Sequence, residues 1–495
     1  MSLINIKNLT FSYEGSYDNV FENVSFQIDT DWKLGFTGRN GRGKTTFLKL
    51  LMGDLEYTGK IVTSVNFEYF PYTPPSDSYF TIDIIQNIAP TAEEWQIRRE
   101  LSLLETDDNL LYREFSTLSN GEQTKILIVG MFLRENSFLL IDEPTNHLDT
   151  HARAVLADYL KKKSGFILVS HDRAFLDSCI DHILVINKTN IEVQKGNFSS
   201  WNENRSRQEQ FEQTKNERLK KQIHQLEQSA KRVAAHSDKI ASTKIGFDPA
   251  KVEKSLTRRP SIAKKAGKLM NRAKSMENRI EKSIAEKNQL LQNVEEVSSL
   301  KISPLKYHSN QLITFQNVTL KYDGNEIFKD ISFTVNQGDR IAVCGKNGSG
   351  KTSLIKLILG ENLNYQGSII KGSRLKISYV CQSADNLCGT LGDYIQKHHI
   401  DEALFKAILR KLDFSRELFS RTIDSYSQGQ KKKIMLARSL SEQAHLYIWD
   451  EPLNYVDVLS RIQIEELLKA CDATLIFVEH DKRFCEQVSN KMLCI

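Results

Sequence analysis

The chain has 495 residues, which is more than one hydrophobic core can organise, so two or three domains are expected. No apolar run approaches the roughly eighteen residues that a membrane-spanning helix needs, and the first residues lack the basic and apolar regions of a secretion signal. The seven cysteines are scattered without a Cys-x-x-Cys pair, which argues against a zinc site or a disulfide framework and fits free thiols in a cytoplasmic protein.

The formal net charge of +5 is distributed unevenly. Residues 211–290 contain 20 Lys and Arg against 9 Asp and Glu, a net charge of +11, so the rest of the chain carries −6. Within them, residues 254–274 contain eight Lys and Arg and no acidic residue. This pattern indicates either contact with a polyanion such as a nucleic acid or a helix face exposed to water.

The first 200 residues alternate β-branched runs, such as 60–70 and 165–172, with helical segments rich in Lys and Leu. This alternation predicts an α/β domain with a parallel sheet. Residues 38–45 read Gly-Arg-Asn-Gly-Arg-Gly-Lys-Thr and match the phosphate-loop pattern in full. The glycines let backbone N–H groups approach phosphates, Lys44 can reach the β and γ oxygens, and the Thr45 hydroxyl can bind Mg²⁺.

About a hundred residues later an apolar strand ends at Asp142 and Glu143. Asp142 can hold the water shell of the metal ion, and Glu143 can polarise the attacking water molecule. A helix N-cap is the structural alternative for an acidic pair after a strand. His171 starts a loop after the next apolar run and is a candidate sensor of the γ-phosphate, although an isolated histidine there is more often a surface residue.

The middle of the chain, residues 201–309, has a helical pattern on two arms, with apolar residues three, four or seven positions apart. These residues are Leu219, Ile223, Leu226, Ala230, Val233 and Ile240 on the first arm, and Leu269, Ala273, Met276, Ile280, Ile284, Leu291 and Val294 on the second. Gly246, Pro249 and Pro260 interrupt the helix between the arms. The pattern predicts an antiparallel hairpin with arms about 45 Å long and a basic tip at about residues 240–265.

Residues 310–495 repeat the first half in the same order. A second phosphate loop at 345–352 contains Lys351, a second apolar strand ends at Asp450 and Glu451, and His480 follows the next strand. Two such loops, each followed at a similar distance by Asp-Glu, leave little room for a chance match. We therefore predict an α/β fold with two tandem P-loop ATPase domains, residues 1–200 and 310–495, joined by a long antiparallel α-helical hairpin linker.

Both halves resemble the ATP-binding-cassette (ABC) ATPases, whose sites bind ATP and Mg²⁺. LSNGEQ at 118–123 and YSQGQK at 426–431 look like the signature motif of that family, which contacts the nucleotide held by the opposite domain. By this resemblance, helix N-termini at the signatures supply the anion contacts. The signature candidates are Ser119, Gly121 and Glu122 for the site of Lys351, and Ser427, Gly429 and Gln430 for the site of Lys44.

The resemblance also implies the remaining site residues. The other ATP-binding candidates of the first half are Tyr13, Gly38, Arg39, Asn40, Gly41, Arg42, Gly43, Lys44, Thr45 and Thr46. Those of the second half are Tyr322, Gly345, Lys346, Asn347, Gly348, Ser349, Gly350, Lys351, Thr352 and Ser353. The metal candidates are Thr45, Asp142, Thr352, Gln382 and Asp450, and the catalytic candidates are Glu143, Glu451, His171 and His480. The two tyrosines stand where the family stacks an aromatic ring on adenine, and a core position is the alternative for each.

Three positions depart from the family pattern. Gln382 suits the Q-loop glutamine, whereas the first half has Tyr72 there. The second signature has Gln428 where glycine is usual, and the loop after Glu451 reads PLNYVD rather than PTNHLD. We expect the two sites to hydrolyse ATP at different rates, and the sequence leaves open which one is slower.

Several classes of cassette protein share these motifs. In coiled-coil chromosome and repair ATPases the coiled coil splits one cassette, whereas here each cassette is complete. Transporter cassettes need only a short connector, and the scattered cysteines disfavour the iron–sulfur ribosome-recycling and zinc-bearing excision-repair types. Tandem cassettes with a charged helical linker, and GNFSSW at 196–201, resemble the ABC-F family.

Within that family the chain is similar to the Lsa-type antibiotic-resistance members, on residues 8–46, YIWDEPLNYVD at 447–457 and GKLMNRAKSMENR at 267–279. The resemblance implies a monomer with paired cassettes that binds the E site of the bacterial 70S ribosome against 23S rRNA when ATP is bound, without a membrane or DNA partner. Its linker would reach past P-site tRNA toward the peptidyl-transferase centre and displace lincosamide, pleuromutilin and streptogramin A antibiotics. A housekeeping translation factor of the same family, and less favourably a transporter ATPase subunit, are the alternatives.

The linker then supplies the contacts with RNA, through cations that bind phosphates without reading sequence. The candidates are Lys254, Arg258, Arg259, Lys264, Lys265, Lys268, Arg272 and Lys274. Ile245, Phe247 and Leu256 are the apolar candidates of the tip, where a side chain can stack on a base or pack the loop itself. The sequence leaves open the drug range and the choice between direct drug contact and an effect through RNA.

Overall fold

The computed structural model describes residues 2–13, 19–74, 79–146, 148–187, 190–245, 304–322, 325–346, 348–385, 387–412 and 414–495, with single positions and short runs between 268 and 282. Met1–Trp201 and Ser299–Ile495 form one compact unit, and Asn202–Ser298 form a second. The domain bounds at 200 and 310 stay predictions; below, the first cassette means residues up to 201 and the second cassette means residues from 304. Among the described residues no helix is both long enough and apolar enough to cross a membrane.

The described residues of the first cassette form nine strands and six α-helices. The strands are β1 (Leu3–Phe11), β2 (Phe21–Asp29), β3 (Lys33–Thr37), β4 (Thr58–Val62), β5 (Asn66–Phe70), β6 (Ser137–Asp142), β7 (Phe166–Val169), β8 (His182–Asn187) and β9 (Asn190–Lys195). The helices are α1 (Lys44–Met52), α2 (Thr81–Ile88), α3 (Glu94–Leu103), α4 (Asn120–Phe132), α5 (Thr150–Lys161) and α6 (Arg173–Cys179). Short 3₁₀ helices occupy Asp108–Tyr112 and Phe115–Thr117.

The linker helix α7 (Phe198–Ile245) follows, and the second cassette repeats the plan. Its strands are β10 (Gln311–Tyr322), β11 (Asn325–Asn336), β12 (Arg340–Cys344), β13 (Tyr365–Lys371), β14 (Ile377–Val380), β15 (Leu446–Asp450), β16 (Leu475–Val478) and β17 (Lys491–Cys494). Its helices are α8 (Lys351–Leu359), α9 (Leu391–Lys397), α10 (Glu402–Lys411), α11 (Gln428–Ser441), α12 (Val458–Lys469) and α13 (Lys482–Val488). Arg416–Ser420 and Ile423–Ser425 are 3₁₀ turns.

Each cassette is built on the predicted parallel sheet. The spatial order is β5-β6-β7-β3-β8 in the first, with β9 antiparallel at the edge, and β14-β15-β16-β12-β17 in the second. A separate three-stranded antiparallel sheet, β2-β1-β4 or β11-β10-β13, accompanies each parallel sheet. Because the strands of a parallel sheet end at one edge, the loops after β3, β5, β6 and β7 meet there.

Both faces of each parallel sheet are buried, as βα connections on both sides require. Along β6, Phe138 and Leu140 belong to the core shared with β1 and α1, whereas Leu139 and Ile141 belong to the core shared with α2 and α4. Successive side chains of a strand point to opposite faces, so a continuous apolar run fills two cores at once. This explains why the strand before each Asp-Glu pair has no polar alternation.

Helix α7 extends over 48 residues, about 72 Å at the usual rise per residue, which is longer than the 45 Å predicted for an arm. Asn197 Oδ1 accepts the Ser200 N–H at 3.0 Å and caps its first turn. Phe198 and Trp201 are buried in the core of the first cassette. The GNFSSW segment is therefore a helix start anchored by two aromatic side chains.

The predicted seam of the linker is present in part. Ile223 on the first arm and Ile280 on the second are each 8% exposed, and Leu219 and Leu226 are half-buried. Met276, however, is 57% exposed, so its assignment to the buried seam is wrong. Spacing of four residues places it on the same helix face as Ile280, but periodicity fixes the face of a side chain and not the depth of its packing.

The buried indole of Trp449 on β15 gives a direct test of the second core. It is 0% exposed, and its Nε1 donates to Ser439 Oγ at 2.9 Å. Trp449→Ala leaves a large cavity and removes one of the two hydrogen bonds to Ser439 Oγ, and should lower the free energy of unfolding by about 3–5 kcal/mol. Trp95→Ala, at a 57% exposed position, is the matched control and should change it by less than about 0.5 kcal/mol. Urea unfolding of both variants measures the difference, and equal midpoints would contradict the assigned core.

Candidate functional site

The first phosphate loop wraps around the N-terminus of α1. Gly41 and Gly43 have φ of 78° and 91°, in the left-handed region where only glycine is unstrained. A Cβ on Gly43 would lie 2.6 Å from Val20 Cγ1. Lys44 Nζ donates to Gly38 O at 2.7 Å and approaches two further loop acceptors at 3.3 Å. The loop is therefore a preformed ring of backbone groups around one ammonium.

The second phosphate loop repeats this geometry at the start of α8. Gly348 and Gly350 have φ of 80° and 96°. Lys351 Nζ donates to Gly345 O at 2.9 Å and Lys346 O at 2.8 Å. Of the predicted loop residues, Asn347 lies outside the described residues, and the others occupy equivalent places in both loops.

The predicted metal carboxylates end β6 and β15. Thr45 Oγ1 donates to Asp142 Oδ2 at 3.3 Å, and the Tyr69 hydroxyl donates to the same oxygen at 3.1 Å. Asp450 is 1% exposed, and neither of its carboxylate oxygens has a hydrogen-bond partner. Burial and the neighbouring Glu451 raise the pKa of Asp450 to about 6. An unpaired buried carboxylate beside a phosphate loop is a site that attracts a cation.

The glutamates after these strands face the predicted histidines in both cassettes. His171 Nε2 lies 3.4 Å from Glu143 Oε1, and His480 Nε2 lies 3.5 Å from Glu451 Oε1. Both glutamates have positive φ, 52° and 46°, which is uncommon outside glycine. Burial and the Lys44 charge lower the pKa of His171 well below its usual range, so this imidazole is neutral at pH 7. The structure thus pairs each glutamate with its own histidine.

The two glutamates differ in how they are stabilised. Burial and the Asp142 charge raise the pKa of Glu143 to about 8, and its Oε1 has no hydrogen-bond partner. Burial alone would raise the pKa of Glu451, but hydrogen bonds from His480 and Gln382 outweigh it and lower the pKa to about 2. Gln382 Nε2 donates to Glu451 Oε2 at 2.9 Å. The pKa is therefore lowered at the carboxylate of the second cassette, which accepts side-chain hydrogen bonds, and raised at that of the first.

The strand register explains part of this difference. Tyr69 pairs with Leu140 and Tyr379 with Ile448, so Tyr72 stands where the second cassette has Gln382. Tyr72 packs against the apolar core of the first cassette. Tyr69, which binds Asp142, was missed by the sequence analysis, because a tyrosine inside an apolar strand gives no signal of which group its hydroxyl reaches.

A cavity of about 690 Å³ contains the phosphate loop of the second cassette and the signature of the first. Its lining includes Ser119, Gly121 and Glu122 on one side and Lys351, Thr352, Ser353, Gln382, Glu451 and His480 on the other. Ser119 Oγ accepts the Glu122 N–H and caps α4, so the helix N-terminus opens into the cavity. The structure thus brings together the residues predicted for the site of Lys351.

The predicted partners at the Lys44 site are in direct contact. Asn40 Nδ2 donates to Tyr455 O of the second cassette at 2.8 Å. A Cβ added to Gly429 would lie 2.4 Å from Tyr455 O and 3.0 Å from Asn40 Nδ2. Ser427 caps α11 with Gln430 in a capping box, as Ser119 caps α4 with Glu122. The second signature therefore sits against the first phosphate loop.

Ion pairs also connect the cassettes beside the sites. Arg173, two residues after His171, binds Glu465 of α12 through two hydrogen bonds, and both side chains are buried. Arg483, three residues after His480, binds Asp177 Oδ2 at 2.7 Å. Asp177 also accepts hydrogen bonds from Ser199 N at 2.8 Å and Ser199 Oγ at 2.5 Å. One carboxylate is thus shared by the second cassette and the first turn of α7.

Of the two tyrosines predicted to stack on adenine, only one has a side chain among the described residues. The Tyr13 hydroxyl lies 2.6 Å from Thr46 Oγ1, and the ring is 49% exposed beside the phosphate loop. Tyr322 ends β10, and its side chain lies outside the described residues. Position and exposure leave Tyr13 available for stacking on a base.

Few of the predicted RNA contacts fall on described residues. Lys268 and Lys274 are helical and exposed. The positions outside the described residues are Lys254, Arg258, Arg259, Lys264, Lys265, Arg272, Phe247 and Leu256, together with the side chain of Ile245 at the end of α7. Arg279 and Lys282 are exposed in the same unit and line a shallow cavity with Lys274. The sequence analysis did not name them, because both follow the segment 254–274, which lacks acidic residues.

The fold and these composite sites define a two-cassette P-loop ATPase. The sequence profile of the ABC transporter family matches residues 21–146 and 328–454. The ribosome protection protein VmlR of Bacillus subtilis (strain 168) is 28% identical over 494 residues, which cover 98% of this chain and 85% of that protein. The ATP-binding protein Uup of Buchnera aphidicola subsp. Acyrthosiphon pisum is 29% identical, with 99% and 80% covered. ABC transporter F family member 2 of Arabidopsis thaliana is 24% identical, with 99% and 76% covered.

Solved structures agree on the architecture. An archaeal ribosome recycling factor, aABCE1, crystallised with the stalk protein aP1, superposes with a TM-score of 0.63 at 18% identity over 98% of this chain and 87% of that chain. A structure titled RNase-L Inhibitor gives the same TM-score. At such identity the likeness shows the fold alone. The chain belongs to the ABC transporter family and, within it, to the ABC-F ATPases, and its cassettes bind and hydrolyse ATP.

Gly429 offers a test of cassette contact at the Lys44 site. In Gly429→Ala the new Cβ would lie 2.4 Å from Tyr455 O of the same cassette and 3.0 Å from Asn40 Nδ2 of the first cassette. The contact between Asn40 and Tyr455 must then shift, and such overpacking typically costs about 1–3 kcal/mol. We expect ATPase turnover to fall about tenfold without loss of the folded state. Gly392→Ala, whose Cβ meets only Thr390 Oγ1 at 3.7 Å, is the control. Steady-state ATP hydrolysis measures both; a fully active Gly429→Ala would refute the closeness of this contact.

Proposed function

We propose that this chain is a cytoplasmic ribosome-protection ATPase. Its ATP-bound form binds the E site of the bacterial 70S ribosome, against 23S rRNA and P-site tRNA, and displaces lincosamide, pleuromutilin and streptogramin A antibiotics. The observation that carries the proposal is the sharing of Asp177 between Arg483 of the second cassette and Ser199 of the linker helix. Similarity over 98% of the chain to a protein named for ribosome protection supports it.

Two ATP molecules bind between the cassettes in this scheme. Each phosphate loop holds the β and γ phosphates, and the facing signature helix presents backbone N–H groups to the γ-phosphate. Lys44 and Lys351 exchange loop carbonyls for phosphate oxygens, and Tyr13 stacks on adenine. The nucleotide is then a bridge, because one set of its contacts comes from each cassette.

Glu143 and Glu451 polarise the attacking water molecule, and His171 and His480 contact the γ-phosphate. The histidine and glutamate side chains lie 3.4 Å apart in the first cassette and 3.5 Å apart in the second, and this pairing supports the division of roles. The held and ionised state of Glu451 favours the site of Lys351 as the faster one. Hydrolysis removes the bridge, so the cassettes separate and the protein leaves its partner.

The residues present fit a bound Mg²⁺. Asp450 offers two unpaired buried oxygens, and Thr45 with Asp142 offers a hydroxyl and a carboxylate within 3.3 Å. Among the described residues no group of three or more His, Cys, Asp or Glu could hold a metal, which suits an ion whose other ligands are phosphates and water. Thr45 and Asp142 would hold it in one site, and Thr352, Gln382 and Asp450 in the other. When bound, the ion neutralises developing phosphate charge.

The linker carries the action on the ribosome. Its cations neutralise rRNA and tRNA phosphates, which gives affinity that falls steeply with salt. Exposed Lys268, Lys274, Arg279 and Lys282 support this reading of the second arm. Closure of the cassettes on ATP fits the linker to the ribosome, and its tip empties the drug site. In this scheme binding of ATP leads to displacement of the drug, and hydrolysis determines how long the protein stays on the ribosome.

A housekeeping translation factor is the second candidate. It is favoured by the similarity, over nearly the whole chain, to Uup and to a plant F-family member, neither of which is named for resistance. Such a factor would use the same ATP sites and linker charges. It would confer no drug tolerance on a susceptible strain.

The double variant Glu143→Gln/Glu451→Gln tests the timer role of hydrolysis. It should bind ATP, stay closed and co-sediment with 70S ribosomes, while ATP turnover falls at least about a hundredfold. Retention should weaken as salt rises, as expected for phosphate contacts. Glu135→Gln, at an exposed position, is the control for loss of a surface charge. Release of the double variant at the wild-type rate would exclude the timer mechanism.

Deletion of residues 244–262 tests the tip. In a drug-sensitive Gram-positive host, the intact chain should raise the inhibitory concentration of a lincosamide or pleuromutilin, and the deletion should abolish that increase. The purified deletion variant should keep its ATPase activity, because both composite sites lie in the cassettes. Tolerance that survives the deletion would remove the tip from the mechanism, and no tolerance from the intact chain would favour the housekeeping factor.

A further inference from the structure

Lys432 is a buried cation in the second cassette that the roles above leave unused. It lies on α11, five residues after the signature Ser427, and only 1% of it is exposed. Its Nζ donates to Cys381 O at 3.0 Å and to Glu451 O at 3.1 Å. A buried ammonium persists only where hydrogen bonds and opposite charge compensate for lost water. The two carbonyls it holds are therefore significant.

These carbonyls belong to the segments that carry Gln382 and Glu451. Cys381 O belongs to the peptide bond between Cys381 and Gln382. Glu451 has φ of 46°, and its N–H donates to Val478 O at 3.0 Å. Lys432 fixes the other side of the same residue, so the strained backbone is held at both ends. The 2.9 Å contact between Gln382 and Glu451 then connects two segments that share one ammonium.

Glu479 completes this network from the next strand. It is 7% exposed; its Oε1 accepts the Leu453 N–H at 2.7 Å and its Oε2 accepts the His480 N–H at 3.2 Å. It thus fixes the loop after Glu451 and the backbone of the switch histidine. Burial lowers the pKa of Lys432, and Glu479 is the strongest of the carboxylates that oppose this effect. The pKa of Glu479 is raised by burial, and the Arg461 charge opposes that effect most strongly.

The first cassette lacks both charges. Thr124 stands five residues after Ser119, and Ser170 directly precedes His171. The Thr124 hydroxyl donates to Asn120 O of its own helix at 2.8 Å, and the Ser170 hydroxyl lies 3.3 Å from the Thr145 hydroxyl. Neither reaches the backbone of the glutamate. The charged pair is therefore specific to the cassette in which the glutamate accepts hydrogen bonds from Gln382 and Asn454.

We propose that Lys432 and Glu479 are positioning residues for ATP hydrolysis at the site of Lys351, where they hold Glu451, Gln382 and His480 in the reactive arrangement. The inference rests on the proposed role of Glu451. It assigns the charged pair to the chemical step and not to nucleotide affinity, because neither side chain is among the residues lining the cavity.

Helix α11 allows a sharp separation of this role from simple stability. Its N-terminus, with Gly429, contacts Asn40 at the Lys44 site, whereas Lys432 contacts Glu451 at the Lys351 site. A general disturbance of the helix would damage the Lys44 site first. A positioning role predicts damage at the Lys351 site alone.

The test is the double variant Lys432→Thr/Glu479→Ser, which installs the residues of the first cassette and leaves no unpaired buried charge. It is made in a Glu143→Gln background, where only the Lys351 site hydrolyses ATP, and in a Glu451→Gln background, where only the Lys44 site does. In the first background kcat should fall about ten- to a hundredfold, with KM for ATP changed less than about twofold. In the second, kcat should be unchanged within about twofold. Lys432→Arg, which keeps a cationic donor, should retain more activity at the Lys351 site than Lys432→Thr.

The outcomes distinguish a failure of the positioning role from a failure of the proposed role of Glu451. Equal losses in both backgrounds, or a loss in KM alone, would overturn the positioning role. Unchanged kcat in the Glu143→Gln background would overturn it as well, provided that Glu451→Gln abolishes turnover there. If Glu451→Gln itself leaves turnover at the Lys351 site intact, the role of Glu451 is wrong and the inference fails with it. The midpoint of thermal unfolding, measured for every variant, identifies any loss caused by unfolding.

Discussion

The absence of a side chain at Gly429 is the constraint on which the paired cassettes depend. Helix α11 approaches the first phosphate loop so closely that a methyl group on Gly429 would lie 3.0 Å from Asn40 Nδ2. At this separation Asn40 Nδ2 donates to Tyr455 O of the second cassette at 2.8 Å. A helix N-terminus attracts phosphate over a short range. In the proposed function, this close approach is what lets one ATP molecule contact both cassettes.

The two halves share a backbone plan but use their polar groups differently. In the first, Glu143 is buried with an unpaired oxygen and a raised pKa. In the second, Glu451 is surrounded by donors and has a lowered pKa. Burial raises the pKa of Glu143, whereas hydrogen bonds outweigh the same effect at Glu451.

The sequence predicted the cassettes well because their motifs consist of the residue types that bind phosphate and metal. Phosphate loops, Asp-Glu pairs and switch histidines occur at strand ends, and a parallel sheet brings strand ends to one edge. It could not predict Tyr69 on Asp142, or Lys432 on the backbone of Glu451, because both contacts depend on the registration of neighbouring strands and helices. The prediction for Met276 was wrong for a related reason: its spacing matches the seam, but spacing does not determine whether a side chain is buried.

The contact of Asp177 with both Arg483 and α7 contributes only a small free energy. Its carboxylate accepts from Ser199 and Arg483 together, but the Arg483 side chain is 39% exposed, and pairs of that kind contribute only about 0.2–1 kcal/mol. A coupling of this size changes a conformational equilibrium by at most about fivefold. The burial of Phe198 and Trp201 in the first cassette, in contrast, ties the helix start to a core worth several kcal/mol. The start of α7 is therefore fixed to the first cassette mainly by this apolar packing, and the ion pair with Arg483 adds a weaker link from the second cassette.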